Sequence, residues 1–208
     1  MSSRKQQRVI SVLILAISAT ITACQRTSSD SFRSADEHQR IDLAKVMAVD
    51  LHGRRATLID DTARGVLLVF VLSDCPISNA YAPRIRQVCQ TYSPRGIRCF
   101  VVYVDPSVPD EELIDHAQEY GLDMPLLRDR SRELVRLVGA KVAPQAVLVD
   151  RRGQIVYSGR VDDQYVELGM KRRRPTTHDL INALDAFLVG KPATPSETQP
   201  VGCYIDDR

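Results

Sequence analysis

Hydrophobic and polar positions fall into blocks along this chain, and the blocks read as elements. "VLLVFVL" (66–72) is unbroken, apolar and rich in β-branched residues. That is the pattern of a central strand buried on both faces. "IRCFVVYVD" (97–105) repeats it. Between them, residues 76–93 predict a helix, with Pro76 suited to its first turn and Pro83 expected to kink it. Residues 108–121 predict a second helix, acidic in its first turn and stopped by Gly121. Residues 131–139 predict a short one ending at Gly139. "QAVLVD" (145–150) and "QIVYSG" (154–159), joined by "RRG", predict a hairpin. In the segment 177–190, Leu180, Ile181, Leu184, Phe187 and Leu188 share one helical face, with Thr177 as the expected N-cap. Weak alternation over 43–50, followed by the turn-like "LHG", predicts an N-terminal strand or hairpin. The two long strands should run parallel through a right-handed crossover, and the last hairpin antiparallel. The expectation is an α/β domain over 41–190, a central mixed sheet with flanking helices. Residues 191–208, Pro-rich and without periodicity, form a tail.

The pattern changes before residue 40. Arg4, Lys5 and Arg8 precede an apolar run from Val9 to about Ala19, then small residues. This is the arrangement of a secretory signal over 1–23, and the run is short for a membrane span. Cleavage falls before Cys24 in "ITAC". That stretch resembles a bacterial lipobox, which implies a lipid on Cys24 and a firm anchor in a bacterial membrane. "CQRTSSDSFRSADEHQR" (24–40) is polar and reads as a flexible tether. The expected location is therefore outside the cytoplasm, facing periplasm or exterior.

A chain of 208 residues suits one domain plus tails. Its formal charge of +2 vanishes with the three basic residues of the signal. The remainder is near neutral, so the formal +2 says nothing about nucleic acid, and none is expected as a partner. Export places Cys75, Cys89, Cys99 and Cys203 where disulfides persist. No two make a CxxC or zinc spacing, and the four histidines are scattered. No metal or cofactor is expected.

Cys75 carries the chemistry. It sits where the strand 66–72 hands over to the helix beginning at Pro76. A thiol there faces unpaired backbone N–H groups and the positive end of the helix dipole. Its pKa should fall, making it nucleophilic near neutral pH. Asp74 beside it should oppose that.

"SDCPISNAYAPRI", "VAPQAVLVD" and "YSGRVDDQYV" together resemble bacterial thioredoxin-like redoxins related to alkyl hydroperoxide reductase and thiol-specific antioxidant. The likeness covers roughly residues 42–205. It implies a thioredoxin-like fold, Cys75 as the redox residue, and Pro144 as the cis-proline facing it. It also implies a substrate that is either a thiol- or disulfide-bearing protein or a peroxide, with an unidentified electron donor. The chain departs from the pattern in informative places. Where thioredoxins have the second cysteine of CxxC, this chain has Ser78, able to hydrogen-bond a thiolate but not to close a disulfide. Where peroxiredoxins have an activating threonine, it has Leu72. Arg84, Arg128 and Arg160 are candidates for the arginine a peroxidase needs.

The missing partner of Cys75 has one candidate, Cys203, a cysteine in a polar tail with little packing reason to exist. The helix over 177–188 leads away by about 18 Å. The tail from Gly190 to Cys203 reaches at most roughly 43 Å, enough to wrap back. A Cys75–Cys203 disulfide is expected, a surface thiol or an intermolecular link being the alternatives. Cys89 and Cys99 are expected to be buried small hydrophobes, with a structural disulfide as runner-up. The segment 160–176 leaves the sheet at the active-site end as a long irregular loop, where Arg160, Asp162 and Asp163 are expected to orient it or tune Cys75, a solvated turn being the alternative. The sequence thus supports thiol–disulfide exchange, with a thiol peroxidase or a Cu(I)-handling binding module as alternatives.

Overall fold

A computed structural model describes residues 40–206; the expected signal, Cys24 and nearly all of the tether lie outside them. The strands β1 (Ala48–Asp50) and β2 (Arg55–Ala56) form the N-terminal hairpin. Its turn is held by Asp50 Oδ1, which accepts the amides of His52 and Arg54 at 2.9 Å each. Then follow β3 (Gly65–Val71), α1 (Pro76–Tyr92) and β4 (Ile97–Tyr103). Next come α2 (Asp110–Glu119), β5 (Leu126–Arg128), α3 (Glu133–Val138) and β6 (Val142–Ala143). The chain continues through β7 (Gln145–Asp150), β8 (Ile155–Gly159), β9 (Tyr165–Glu167), β10 (Met170–Lys171), α4 (Asp179–Leu188) and β11 (Cys203–Tyr204).

One seven-stranded mixed sheet organises the domain, in the order β2-β1-β5-β4-β3-β7-β8. β3 pairs parallel with β4 and antiparallel with β7, and β4 pairs parallel with β5. Every residue of β3 is buried, because the sheet is covered on both faces. Leu67, Val69 and Val71 face a layer that includes α1, α2 and α4. Val66, Leu68 and Phe70 face α3, the segment around Ile41 and Leu43, and Ile205 of the tail. An unbroken apolar run is what a strand needs when both of its faces are buried.

α1 continues through the exposed Pro83, whose ring leaves one backbone hydrogen bond of the helix unmade. Several expectations need correcting. Thr177 is not the cap of α4; His178 holds that position, without a side-chain cap bond. Cys89 and Cys99 are buried, as expected, but joined in a disulfide, with Cα atoms 5.5 Å apart. α1 packs across β4 closely enough to bring them within bridging range. The loop over 160–176 contains the small β9–β10 hairpin. It is fastened at its far end by Asp163, whose Oδ1 accepts the amides of Thr176 and Thr177 at 2.6 and 2.9 Å. Finally, the tail is part of the fold. Residues 196–198 lie along β8, with Ser158 N donating to Ser196 O at 3.0 Å and Thr198 N to Ser158 O at 3.1 Å. β11 then pairs antiparallel with β6.

Candidate active site

Cys75 stands at the C-terminal end of β3 as the N-cap of α1, with extended backbone (φ −83°, ψ 111°). Its amide donates to Leu72 O at 3.2 Å, closing the turn, and its carbonyl accepts from Asn79 N at 3.0 Å. The side chain is 0% exposed. As a thiol it donates to Ala143 O at 3.2 Å.

A partly buried polar chain supports this turn. Ser73 donates from its amide (3.0 Å) and hydroxyl (2.7 Å) to Oδ1 of the buried Asp105. Asn79 Nδ2 donates to Ser73 O at 3.0 Å, which fixes the amide's orientation and leaves its Oδ1 facing His116 Nε2 at 2.9 Å. His116 therefore carries its proton on Nε2, and Nδ1 accepts from Tyr103 OH at 2.8 Å. Burial holds the His116 pKa below the ordinary value, which favours the neutral ring this chain of bonds requires. Nothing in the spacing of Asn79, Tyr103, Asp105 and His116 announces the network, since it joins α1, β4, α2 and a turn. Tyr81 and Asp162 were also not foreseen as partners. Tyr81 OH donates to Asp162 Oδ1 at 2.6 Å, tying the loop after β8 to α1.

The segment facing Cys75 is Ala143–Pro144, whose peptide bond is cis, in line with the sequence reading. Gln145 secures it, since its Oε1 accepts Lys141 N at 2.9 Å and its Nε2 donates to Ser158 Oγ at 3.0 Å. Ala143 is also the register partner of Cys203 on β11. The two cysteines, far apart in sequence, thus meet over one residue. Cys203 is half-buried and free, and so is the fully buried Cys75.

Their titrations are linked. Burial pushes the Cys75 thiol up, but hydrogen bonds from the Cys203 thiol, from the amide and hydroxyl of Ser78, and from the Cys203 amide outweigh it, so its pKa lies below the ordinary value. Burial, the hydrogen bond to Cys75, the Cys75 charge and the Asp74 charge push Cys203 up to about 12. Cys75 therefore ionises first and Cys203 keeps its proton. Asp74, expected to oppose ionisation at Cys75, makes itself felt at Cys203. The Ser78 hydroxyl is buried and makes no hydrogen bond while Cys75 is a thiol. A buried hydroxyl without a partner is costly, and the thiolate supplies that partner.

The three candidate peroxidase arginines are engaged by carboxylates. Arg84 Nε lies 3.8 Å from Asp162 Oδ2, Arg128 Nε 2.9 Å from Asp110 Oδ1, and Arg160 Nε 2.7 Å from Asp179 Oδ2. With Leu72 at the threonine position, the peroxidase pattern stays incomplete. Among the described residues, no three His, Cys, Asp or Glu side chains gather as a metal site.

A sequence model of the AhpC/TSA family matches residues 35–158. The chain belongs to the AhpC/TSA family. Thiol-disulfide oxidoreductase ResA of Halalkalibacterium halodurans is 25% identical over 128 residues, covering 61% of this chain and 72% of that protein. ResA of Bacillus cereus is 23% identical over 172 residues, covering 81% of this chain and 95% of that one. Among solved structures, a hypothetical protein of Sinorhizobium meliloti superposes with a TM-score of 0.69 at 25% identity, covering 80% of this chain and 92% of its own. The thioredoxin domain of a thiol-disulfide oxidoreductase from Bacteroides vulgatus gives 0.51 at 17% identity, covering 72% of this chain and 97% of its own. The AhpC/TSA member described here is a thioredoxin-like redoxin, α/β in class, with a central mixed sheet between helices.

Proposed function

We propose that this redoxin is a thiol–disulfide oxidoreductase whose redox pair is Cys75 and Cys203. The observation that carries this reading is their meeting at Ala143. Cys75 Sγ donates to the Ala143 carbonyl at 3.2 Å, and Cys203 is the residue paired with Ala143 across the β6–β11 ladder. A second cysteine brought by the tail replaces the one that Ser78 cannot provide. The Cys75 thiolate attacks one sulfur of a protein disulfide, forming a mixed disulfide and releasing the other sulfur as a thiolate. Cys203 gives up its proton and attacks the Cys75 sulfur. The partner leaves fully reduced, having gained two electrons and, with its two thiolates, two protons. The chain keeps a Cys75–Cys203 disulfide. A low-pKa thiol suits attack at neutral pH. Cys203, high in pKa beside a thiolate, becomes easier to ionise once that charge is consumed in the mixed disulfide.

The lipobox-like "ITAC" supports export and attachment to a bacterial membrane through Cys24. An N-terminal peptide without added lipid would remove that part of the reading. The redox pair is tested by mapping disulfides in the mature protein before and after mild oxidation. The expected product is a Cys75–Cys203 cross-link that disappears in Cys203→Ser. A Cys203→Ser chain in which Cys75 still forms an intramolecular disulfide would overturn the pairing.

A further inference from the structure

Exposed large apolar side chains are scattered singly over the described residues, except in one place. Val166, Leu168 and Met170, which are 45%, 65% and 51% exposed, crowd the tip of the β9–β10 hairpin. Single exposed apolar side chains are ordinary, whereas a cluster marks a contact. The turn is Leu168–Gly169, with Gly169 at φ +83° and open space around it. Directly behind it comes the run Lys171-Arg172-Arg173-Arg174, with Glu167 as the hairpin's single acid. Arg172 is committed to the fold, since its Nη1 donates to Asp163 O at 2.7 Å. Lys171 Nζ lies 6.0 Å from the Tyr165 ring centroid. Arg173 and Arg174 are exposed, and among the described residues their side chains have no hydrogen bond or ion pair. The base of the hairpin is anchored. Tyr165 packs on Tyr81 of α1 with ring centroids 5.4 Å apart, and Asp163 fastens the returning chain at Thr176 and Thr177.

We propose that the β9–β10 hairpin is a membrane-contact element, its apolar tip entering the boundary of an anionic bilayer while Lys171, Arg173 and Arg174 lie against lipid phosphates. Residues along a strand alternate between faces. Val166 therefore lies on the face opposite Glu167 and its register partner Met170, with Leu168 at the turn between. The apolar surface wraps round the tip instead of lying on one side. A folded protein partner covers one face of such a hairpin; a fluid apolar layer covers all three side chains at once. Glu167 beside Met170 limits the depth, so only the tip enters. The cations stand behind the tip, at headgroup level when the tip is in, and basic clusters at that level are drawn to anionic leaflets. Interfacial binding of this kind adds buried apolar area to attraction for anionic lipid. The loop starts from the end of β8 that lies beside the start of β7, where Ala146 pairs with Gly159. That is the end of the sheet that carries Cys75, so contact through the hairpin turns the redox end toward the bilayer. A lipid on Cys24 would keep the chain near a membrane without orienting the domain. The hairpin orients it and does not depend on that lipid or on the redox pair.

The chain has no tryptophan, so one placed in the hairpin is an unmixed reporter. The test uses two full-length chains, Leu168→Trp and, as a control, Ile155→Trp, whose exposed position is at the opposite end of β8. Each is mixed with vesicles of equimolar phosphatidylcholine and phosphatidylglycerol, or of phosphatidylcholine alone, carrying brominated acyl chains as quencher. On the anionic vesicles, emission of Leu168→Trp is expected to shift to the blue and be quenched, and that of Ile155→Trp to stay unchanged. Adding Arg173→Gln and Arg174→Gln should lower the ratio of quenched to water-exposed tryptophan roughly 25-fold, since each basic residue at an anionic surface counts for about fivefold. Leu168→Trp emission that ignores anionic vesicles overturns the proposal. So does equal quenching of the two tryptophan variants, quenching as strong on phosphatidylcholine alone, or indifference to the two arginines. A blue shift produced by polyglutamate and not by vesicles also overturns it and gives the patch to an acidic protein. The reporter is local to the hairpin, so a chain without lipid on Cys24 gives the same reading, and failure of the anchor shows only in the N-terminal peptide.

Discussion

At the scale of single residues, the site is a problem in where hydrogens point. Hydrogen bonds from the Cys203 thiol and from the amide and hydroxyl of Ser78 outweigh burial and favour the ionised state of Cys75, while the buried Ser78 hydroxyl has no other partner. Hydrogen bonds to charged groups are worth about 1.5–3 kcal/mol. Ser78→Ala should therefore raise the Cys75 pKa and slow its attack at pH 7 on the order of tenfold. Following thiolate absorbance against pH checks the first, and mixed-disulfide formation at fixed pH the second. An unchanged titration would mean that the hydroxyl merely fills space. Ser78 was legible in the sequence as the residue standing where a second cysteine belongs. Its buried, unpartnered state was not, because burial depends on how α1 settles against the segment before Pro144.

At the scale of elements, two fasteners set the stability of the regions around the site. Asp163 ties down the loop between β8 and α4. Burial alone would raise its pKa, but donors from Thr176 and Thr177 and the charge of Arg172 prevail and hold it well below the usual carboxylate range. A depressed folded-state pKa means stability that is present above the unfolded value of about 3.9 and lost as pH falls through the folded one. Asp163→Asn should cost about 1–3 kcal/mol at pH 7, and its gap from the parent chain should narrow toward pH 2, read from urea midpoints. The Cys89–Cys99 bridge spans a sequence separation of 10. Replacing both cysteines with alanine should cost about 2–3 kcal/mol by the loop-entropy account. Cys75 should react as before, because Cys99 sits near the start of β4 and Cys75 beyond the end of β3. The long strands, the helices and the β7–β8 hairpin were legible because each carries its periodicity within its own span. β5, β6 and β11 were not. With two or three residues each, they exist only because a neighbouring strand is already in place. The Cys89–Cys99 bridge was hidden for a related reason, as only the packing of α1 on β4 decides between two buried thiols and one bond.

At the scale of the whole molecule, the proposed pairing of Cys75 with the tail cysteine Cys203 would make this a different kind of redox protein from one built on CxxC. In a CxxC pair, four adjacent residues hold both sulfurs together whether or not the rest of the chain is folded. Here the sulfurs are about 130 residues apart in sequence, and only the finished fold makes them neighbours. By thermodynamic reciprocity, whatever the Cys75–Cys203 bond adds to folding, folding adds to that bond. Closing a loop of this length is worth about 5 kcal/mol, equivalent to roughly 100 mV in a two-electron couple. The reducing power of the proposed pair is therefore a property of tertiary structure. Anything that loosens the domain, far from either sulfur, makes the pair a weaker reductant, so the electrons this protein can deliver report on its own integrity.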